Sequence, residues 1–313
     1  MEHILSKIKE YNTIIIHGHV RPDGDCYGSQ FGLKGIITST YPEKNVYVVG
    51  GKCDHVSFLG SMEDISDEVF NGALSIVVDT ATGERVSDQR FKLADYCIKI
   101  DHHIPVDQYG DYQYVIDSKS SCCEIIAELY TTHKDTLKIS THGAKALYTG
   151  MVTDTGRFRF DSVTGDTMRT AGSLIDLGVD IAEIDNALSV ETMQTLKLKG
   201  YVLSNFETTE NGFVYIRIPR SVINEFQVTD EEAAAQVSTI STIDGYPVWA
   251  LFIEYPGEIR IRLRSRGPEI DKLANQFNGG GHAKASGAKL ANWDELPQFV
   301  ALADELTKKY LKK

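Results

Sequence analysis

The chain has 313 residues, of which 42% are hydrophobic, and a formal net charge of −12. This length exceeds one comfortable hydrophobic core, so we expect two domains. The acidic balance argues against a broad, sequence-independent grip on long nucleic acid, which needs a basic surface, but it allows a short anionic substrate in a local basic cleft.

Short apolar segments alternate with helical patterns in the first half of the chain. The strand candidates are rich in β-branched and aromatic residues and cover residues 13–16, 45–49, 73–78 and 96–100. A helical pattern covers about 26–38, and a helical block runs from about Ser121 to the Leu188 region, with breaks near 134–139 and 156–165. This alternation predicts a mostly parallel sheet flanked by helices.

The pattern changes in the second half of the chain. The pattern of residues 191–206 predicts a helix between the domains. Further strand candidates cover residues 213–218, 247–255 and 258–264. Helices are predicted near residues 230–239, 269–277 and 294–308. We predict an α/β chain with a catalytic domain over 1–189, a helical linker over 190–208 and a smaller α+β domain over 209–313. We expect the active site in the cleft between the two domains.

Histidines and aspartates follow the predicted strands and one apolar helical run. They are His19, Asp23 and Asp25 after the first strand, Asp79 after the third, Asp101, His102 and His103 after the fourth, and Asp154 after residues 146–152. The C-terminal ends of parallel strands lie along one edge of a sheet, so the first three groups converge there. Any one carboxylate alone is equally typical of a helix cap or turn. Together the groups predict a metal site, because adjacent imidazoles and a carboxylate are costly to hold beside a core unless paired.

The donor set favours two ions over one. It is rich in carboxylates and contains no cysteine, which indicates Mn²⁺ or Mg²⁺ rather than a structural zinc site. Paired divalent ions act on the attacking and leaving oxygens in phosphoryl hydrolysis. His17 also lies on this loop, and we expect it to be a packed or supporting residue.

An arginine-rich strand and a glycine run stand out in the second half. Arg260, Arg262, Arg264 and Arg266 alternate with apolar residues, so they share one face of a strand. A solvated face is the alternative, but four like charges in an acidic protein favour a bound polyanion, above all at Arg262 and Arg264. Residues 279–281 are glycines followed by His282, a pattern that lets the backbone approach an anion, although a flexible linker is the alternative.

The pattern His19-x-x-x-Asp23-x-Asp25, then Asp79, then Asp101-His102-His103, then Asp154 resembles the DHH phosphoesterase superfamily. The resemblance implies that His19 and Asp23 bind one metal ion, that Asp25, Asp154 and His102 bind the other, and that Asp79 bridges both. The implied catalytic residues are Asp79, His102, His103 and Arg157, and the implied ions are two divalent cations, with Mn²⁺ first and Mg²⁺ or Co²⁺ as alternatives.

The glycine run resembles the Gly-Gly-Gly-His motif of the domain that follows many DHH catalytic domains. The substrate contacts implied by the two resemblances are His103, Arg157, Arg262, Arg264, Gly279, Gly280, Gly281, His282 and Ser286. Within the superfamily, residues 154–158 and the His-Val-Arg-Pro-Asp segment are similar to the bacterial nano-RNase/pAp phosphatase group. Cys26-Tyr27 departs from the Ala-Leu or Ala-Tyr often found there, and we expect no effect on the chemistry.

That group implies hydrolysis of short RNA oligonucleotides to mononucleotides and removal of the 3′-phosphate of 3′-phosphoadenosine 5′-phosphate (pAp). The alternatives are a phosphodiesterase for cyclic or linear dinucleotides and, outside catalysis, a metal-bound nucleotide sensor. We expect short RNA or DNA and pAp as partners, no stable complex with long nucleic acid and no membrane contact, and we leave open whether the chain forms a homodimer. The odd number of cysteines and the lack of a signal-peptide core or membrane-length apolar run predict a cytoplasmic protein.

Overall fold

The computed structural model of the protein describes residues 1–312 and divides the chain into two compact units. The first unit covers Met1–Val190, and the second begins at Glu191. Within the described residues, no helix combines the length and the apolar character needed to cross a membrane.

The first unit is built on a five-stranded sheet in the order β2-β1-β3-β4-β5, with every neighbouring pair parallel. The strands are β1 (Thr13–His17), β2 (Asn45–Val49), β3 (Leu74–Val78), β4 (Tyr96–Asp101) and β5 (Tyr112–Val115). The predicted parallel sheet is confirmed. Strand β5 was not predicted, because this edge strand is half-buried along its whole length and lacks an apolar run.

Helices cover the sheet of the first unit. They are α1 (Glu2–Glu10), α2 (Gly24–Thr40), α3 (Cys122–Thr132), α4 (Thr141–Asp154), α5 (Gly165–Ile175) and α6 (Ile181–Ser189). Short 3₁₀ helices connect the strands at Asp54–Leu59, Asp67–Phe70, Gly83–Arg85 and Gln89–Leu93. Helices α2 and α4 pack closely, since a Cβ atom at Gly28 would lie 2.5 Å from the Ala146 carbonyl oxygen. The site loops follow β1, β3 and β4 and the end of α4.

The second unit contains a six-stranded sheet in the order β10-β11-β9-β8-β7-β6. Its strands are β6 (Glu207–Thr208), β7 (Phe213–Ile218), β8 (Val248–Tyr255), β9 (Glu258–Ser265), β10 (Gly280–His282) and β11 (Ala285–Leu290). Only the β7–β8 pair is parallel among these strands of the described chain. The helices are α7 (Met193–Asn205), α8 (Arg220–Phe226), α9 (Asp230–Ala235), α10 (Asp271–Asn275) and α11 (Leu296–Leu311), with 3₁₀ turns at Gln236–Ser238 and Trp293–Glu295.

The sheet of the second unit has an apolar core on each face. Phe252 and Phe299 pack in one core, together with residues of α10 and α11. Leu251 belongs to the other core, together with residues of α7, α8 and α9. Leu198 and Val202 of α7 are fully buried there. The helix predicted from residues 191–206 therefore packs on the sheet of the second unit, which its modest amphipathicity did not indicate.

Candidate metal centre

The loop after β1 brings His19 and Asp23 to the edge of the sheet. Asp23 caps α2, since its Oδ1 accepts hydrogen bonds from the N–H groups of Asp25 and Cys26, each 3.1 Å long. His19 donates its Nδ1–H to the Val20 carbonyl at 3.0 Å, because a carbonyl oxygen only accepts. The Nε2 atom of His19 faces Asp23 and Asp79, at 3.8 and 3.4 Å from their carboxylate oxygens.

Asp25 is buried and held by the start of α3. Its two carboxylate oxygens accept hydrogen bonds from the N–H groups of Cys122 at 2.7 Å and Cys123 at 2.9 Å. This contact was not predicted, because Ser121, which caps α3, indicates where that helix begins but not which carboxylate it meets. Burial and the charges of Asp79 and Asp154 raise the pKa of Asp25 well above its ordinary value. A cation beside this carboxylate removes that penalty.

Asp79 lies at the centre of the cluster, directly after β3. It adopts a φ of 51°, in the left-handed region that is uncommon outside glycine. Its Oδ2 lies 3.4 Å from His19 Nε2, and its Oδ1 lies 3.5 Å from His102 Nε2. Asp79 is only 2% exposed, and within the described residues Oδ1 has no hydrogen-bond partner. A buried carboxylate oxygen without a donor fits a divalent cation.

The two adjacent histidines have different surroundings. His102 Nε2 lies 3.7, 3.5 and 3.5 Å from carboxylate oxygens of Asp25, Asp79 and Asp154. These distances are too long for hydrogen bonds but suit atoms that share an ion. His103 instead bonds Asp101 through Nδ1 at 2.7 Å, and 45% of its side chain is exposed. The geometry favours His102 as the ligand.

Asp101 orients the second histidine from inside the sheet. Its Oδ1 also accepts hydrogen bonds from the backbone N–H groups of His102 and His103. Its Oδ2 lies 3.4 Å from the ammonium group of Lys99, which is fully buried. Sequence reasoning did not single out Lys99, since one lysine within a strand carries no distinctive pattern. The hydrogen bonds from His103 and, to a smaller extent, the charge of Lys99 offset the burial of the Asp101 carboxylate and lower its pKa.

Asp154 ends α4, and Cys26 joins the cluster from α2. Burial and the charges of Asp79 and Asp23 outweigh the opposite effect of His102 and raise the pKa of Asp154 to about 6. Donor atoms of Asp25, His102 and Asp154 lie within 4.8 Å of one another, as do those of His19, Cys26 and Asp79. The aspartates and histidines predicted as metal ligands therefore come together, and Cys26 is an additional neighbour. His17 is fully buried against Ser75, as expected of a packed residue.

Arg157 lies on a strained turn after α4. Gly156, Arg157 and Phe158 all have positive φ, of 56°, 62° and 59°. The Arg157 guanidinium forms an ion pair with Asp185 and donates to Ser189 Oγ at 3.0 Å, both in α6. In this structure Arg157 is thus engaged by α6 rather than by the cluster of candidate metal ligands.

The glycine run of the second unit lies in a β-hairpin. Strands β10 and β11 pair with Gly280 opposite Gly287 and His282 opposite Ala285, and the chain turns at Ala283 and Lys284. A Cβ atom at Gly279 would lie 2.0 Å from the Gly287 carbonyl oxygen. Gly281 has a φ of 141°, so both glycines are required by the hairpin itself. Sequence reasoning missed the hairpin, since glycine is depleted in strands.

The strand register separates the predicted substrate contacts into two faces. Arg262 lies opposite Gly287 and Arg264 opposite Ala285, so these arginines share a face with Gly280 and His282. Gly281 and Ser286 pair with each other on the opposite face, and the Ser286 hydroxyl donates to the His282 carbonyl at 2.9 Å. Ser286 is thus a buried part of the hairpin.

The four arginines in and directly after β9 also differ in their partners. Arg260 donates to Glu258, and Arg266 donates to the Ile243 carbonyl. Arg264 donates to the carbonyls of Leu263 and Ser286. Arg262 is exposed, and in the described part of the chain its guanidinium has no polar partner. Arg262 is therefore the arginine of this strand that is free to bind an anion.

Comparison with known proteins identifies relatives along the whole chain. Residues 13–151 match the DHH family, N-terminal domain, and residues 210–309 match the DHHA1 domain. The bifunctional oligoribonuclease and PAP phosphatase NrnA of Bacillus subtilis is 42% identical over 308 residues, which cover 98% of each chain. The protein with that name from Thermus thermophilus is 30% identical over 94% of this chain and 90% of its own length.

A solved structure shares the fold of the chain. An exopolyphosphatase-related protein from Bacteroides fragilis superposes with a TM-score of 0.87 at 26% identity and covers 100% of this chain and 97% of its own. The DHH family uses divalent metal ions, in agreement with the donor atoms gathered around Asp79. The chain is therefore a member of the DHH phosphoesterase family of enzymes and carries a DHHA1 domain after its DHH domain.

Proposed function

We propose that the protein is a two-metal phosphoesterase that hydrolyses short RNA oligonucleotides to mononucleotides and removes the 3′-phosphate of pAp. The observation that carries the proposal is the buried cluster of carboxylates and imidazoles around the unpartnered oxygen of Asp79. The relatives named bifunctional oligoribonuclease and PAP phosphatase, at 42% identity over 98% of the chain, support these two substrate classes.

The residues of the cluster divide between two ions. His19 and Asp23 hold one ion, Asp25, His102 and Asp154 hold the other, and Asp79 reaches both. This division is supported by the position of Asp79, whose two oxygens face different histidines at 3.4 and 3.5 Å. Mixed imidazole and carboxylate donors suit Mn²⁺, which we propose as the working ion, with Mg²⁺ or Co²⁺ as substitutes.

The bound ions lower the pKa of water and neutralise charge on phosphate oxygens. His103 is placed to deliver a proton to the leaving oxygen, because its Nδ1 is held by Asp101 and its ring is partly exposed. The hydrogen bond with Asp101 raises the pKa of His103, which favours the protonated ring. Arg157 stabilises charge on the phosphate once its guanidinium leaves Asp185 and Ser189.

The second unit binds the nucleotide through one face of its sheet. Arg262, Gly287 and Gly280 lie in one row across β9, β11 and β10. The two half-buried glycines carry no side chain beside an arginine without a protein partner, an arrangement that suits a phosphate group. Arg264 and His282 flank that row on the same face. Gly279, Gly281 and Ser286 support the binding face by shaping the hairpin.

A product assay tests the proposed function. The full chain, freed of metal and resupplied with Mn²⁺, is incubated with a labelled dinucleotide, a labelled pentanucleotide, pAp, a cyclic dinucleotide, pyrophosphate and a long RNA. We expect mononucleotides from the short RNAs, phosphate and AMP from pAp, and slow or no degradation of the long RNA. Turnover of the cyclic dinucleotide alone would instead indicate a dinucleotide phosphodiesterase. Binding without turnover of any substrate would indicate a nucleotide sensor.

The compartment and the oligomeric state belong to the same proposal. All five cysteines are free, which supports a reducing compartment, and we propose the cytoplasm. Light scattering of the purified chain measures directly whether it forms a homodimer. Cell fractionation that recovers the protein outside the cytoplasm would contradict the proposed location.

A further inference from the structure

We propose that the Cys26 thiolate is an additional ligand to the ion held by His19 and Asp79, and that it gives this position a selective affinity for thiophilic divalent ions such as Cd²⁺, Zn²⁺ and Co²⁺. The inference rests on the proposed metal centre of the previous section. It adds a sulfur donor to a set of residues that otherwise offers only nitrogen and oxygen.

The sulfur of Cys26 lies beside two of the proposed metal ligands. Cys26 is in the first turn of α2, directly after Asp25, and is completely buried. Its sulfur, a ring nitrogen of His19 and a carboxylate oxygen of Asp79 all lie within 4.8 Å of one another. Two donors bound to one ion at usual bond lengths lie within that spacing, because metal–sulfur bonds measure about 2.3 Å and metal–nitrogen bonds about 2.0 Å.

A second observation shows that the carboxylate beside the sulfur lacks a cation. Asp79 is only 2% exposed, its Oδ1 has no hydrogen-bond partner among residues 1–312, and its Oδ2 faces His19 Nε2 at 3.4 Å on the side of the sulfur. The thiol does not satisfy this carboxylate, since the S–H group points toward Gln30 Oε1 at 3.7 Å, which is a weak contact. The sulfur is therefore available, and the neighbouring carboxylate lacks a positive partner.

The loop provides the room that the sulfur occupies. A Cβ atom at Gly18 would lie 2.2 Å from Cys26 Sγ and 2.9 Å from Gln30 Oε1. Only glycine at position 18 allows the sulfur to lie beside His19. When a thiophilic ion binds, a sulfur–metal bond forms and the thiol proton passes to the solvent. Thiolate ligands select soft ions, whereas carboxylates alone suit Mg²⁺ and Mn²⁺.

The test uses the metal-free full chain and follows binding rather than turnover. On titration with Co²⁺, we expect a near-ultraviolet sulfur-to-cobalt charge-transfer band in the wild-type protein and none in Cys26→Ala or Cys26→Ser. By calorimetry, we expect both variants to bind Cd²⁺ more weakly by at least the roughly 10-fold that loss of a supporting residue costs at metal sites. Their affinity for Mg²⁺ should change by much less.

Two controls make the outcome specific. Cys53→Ala removes a more exposed thiol and should leave the cobalt band unchanged. Circular dichroism of the Cys26 variants verifies that they are folded, and Cys26→Ser keeps the size of the side chain. A cobalt band that is absent from wild type, or that persists in both Cys26 variants, would overturn the inference. Failure of the RNA and pAp assay would instead count against the proposed function, because the binding experiments require no turnover.

Discussion

The carboxylates of Asp25, Asp79 and Asp154 surround a single imidazole nitrogen, that of His102. When no cation is bound, the three carboxylates oppose one another's ionisation, and the pKa values of Asp25 and Asp154 are raised. The cluster therefore lowers the stability of the metal-free fold, and bound ions remove this destabilisation. Such a conflict between stability and function at one group of residues is typical of an active site.

Replacing Asp154 by Asn separates these two effects. In chelator at neutral pH, we expect the variant to be more stable than wild type by on the order of 1 kcal/mol, because one repelling charge is gone. With Mn²⁺ the order should reverse, since binding at 100 times Kd adds about 2.7 kcal/mol to wild type and less to the variant. Thermal unfolding of the wild type and the variant, with and without Mn²⁺, measures both differences in stability.

The same variant is expected to lose hydrolysis of short RNA with Mn²⁺. Asp135→Asn is the matched control, because Asp135 is an exposed aspartate in the connection between α3 and α4. Full activity of Asp154→Asn with Mn²⁺ would refute the assignment of Asp154 as a ligand.

Arg262 offers a second test at the scale of the residue. Arg262→Ala should raise KM for pAp and short RNA about 10-fold or more, since a hydrogen bond to a charged group contributes about 1.5–3 kcal/mol. Hydrolysis of bis-p-nitrophenyl phosphate should change little. Arg260→Ala is the control, because Arg260 lies on the same face but is paired with Glu258. Equal losses on both kinds of substrate would argue against a binding role for Arg262.

At the scale of the element, the contact of α2 with α4 is what positions Asp25. An added Cβ atom at Gly150 of α4 would lie 3.1 Å from the Asp25 Cα atom, in the first turn of α2, and 2.2 Å from Cys123 Sγ of α3. Close packing of these backbones therefore sets the distance between Asp25 and Asp154. Any side chain at position 150 would push the two elements apart.

A matched pair of glycine substitutions measures that close packing. Alanine is favoured over glycine inside helices by about 1 kcal/mol, and an added Cβ atom at Gly172 of α5 meets nothing within 4 Å. We expect Gly172→Ala to stabilise the protein by about that amount. Gly150→Ala should destabilise it by about 1–3 kcal/mol despite the same helical preference. Urea unfolding of both variants measures these changes in the free energy of unfolding. Equal stabilisation by the two substitutions would refute the steric argument.

Helices α1 and α3 are joined by an ion pair that titrates. His133 Nε2 lies 2.8 Å from Glu2 Oε1, and the hydrogen bond with Glu2 raises the pKa of His133. A raised pKa in the folded state stabilises the fold fully below the ordinary histidine pKa and no longer does so as pH rises through the shifted value. We therefore expect Glu2→Gln to lower the melting temperature at pH 6 and to have no effect at pH 9.

Nuclear magnetic resonance provides the direct readout for this pair. The His133 ring signal should titrate at a higher pH in wild type than in Glu2→Gln. Identical titration curves in the two proteins would contradict the contact. The helix that contains Glu2 was missed by the sequence analysis, because α1 is short and its apolar positions, Ile4, Leu5 and Ile8, also suit an isolated amphipathic tail.

At the scale of the whole molecule, the two units have separate apolar cores. Phe252 and Leu251 face opposite sides of the second sheet, and each lies in a core made of residues beyond position 190. Because its buried residues pack against each other, we expect a fragment of residues 191–313 to fold by itself, with a cooperative thermal transition. Circular dichroism measures it, and a broad, non-cooperative change would show that the fragment needs the first unit.

The sequence by itself determined the chemistry of the metal centre. Parallel strands place their C-terminal ends at one edge, so aspartates and histidines that follow β1, β3 and β4 converge without knowledge of any distance. The alternation of Arg262 with apolar residues likewise predicted its exposed face, because side chains along a strand alternate strictly. Such periodic patterns are local, and a local pattern can be read from the chain alone.

Only the tertiary structure decided how the donors are arranged. The N–H groups that hold Asp25 come from residues 97 and 98 positions away along the chain, and nothing local predicts them. The different surroundings of His102 and His103, the place of Cys26 and the hairpin at Gly280 depend equally on which backbones approach each other. Such contacts follow from packing in three dimensions, where a shift of one residue in register replaces every neighbour.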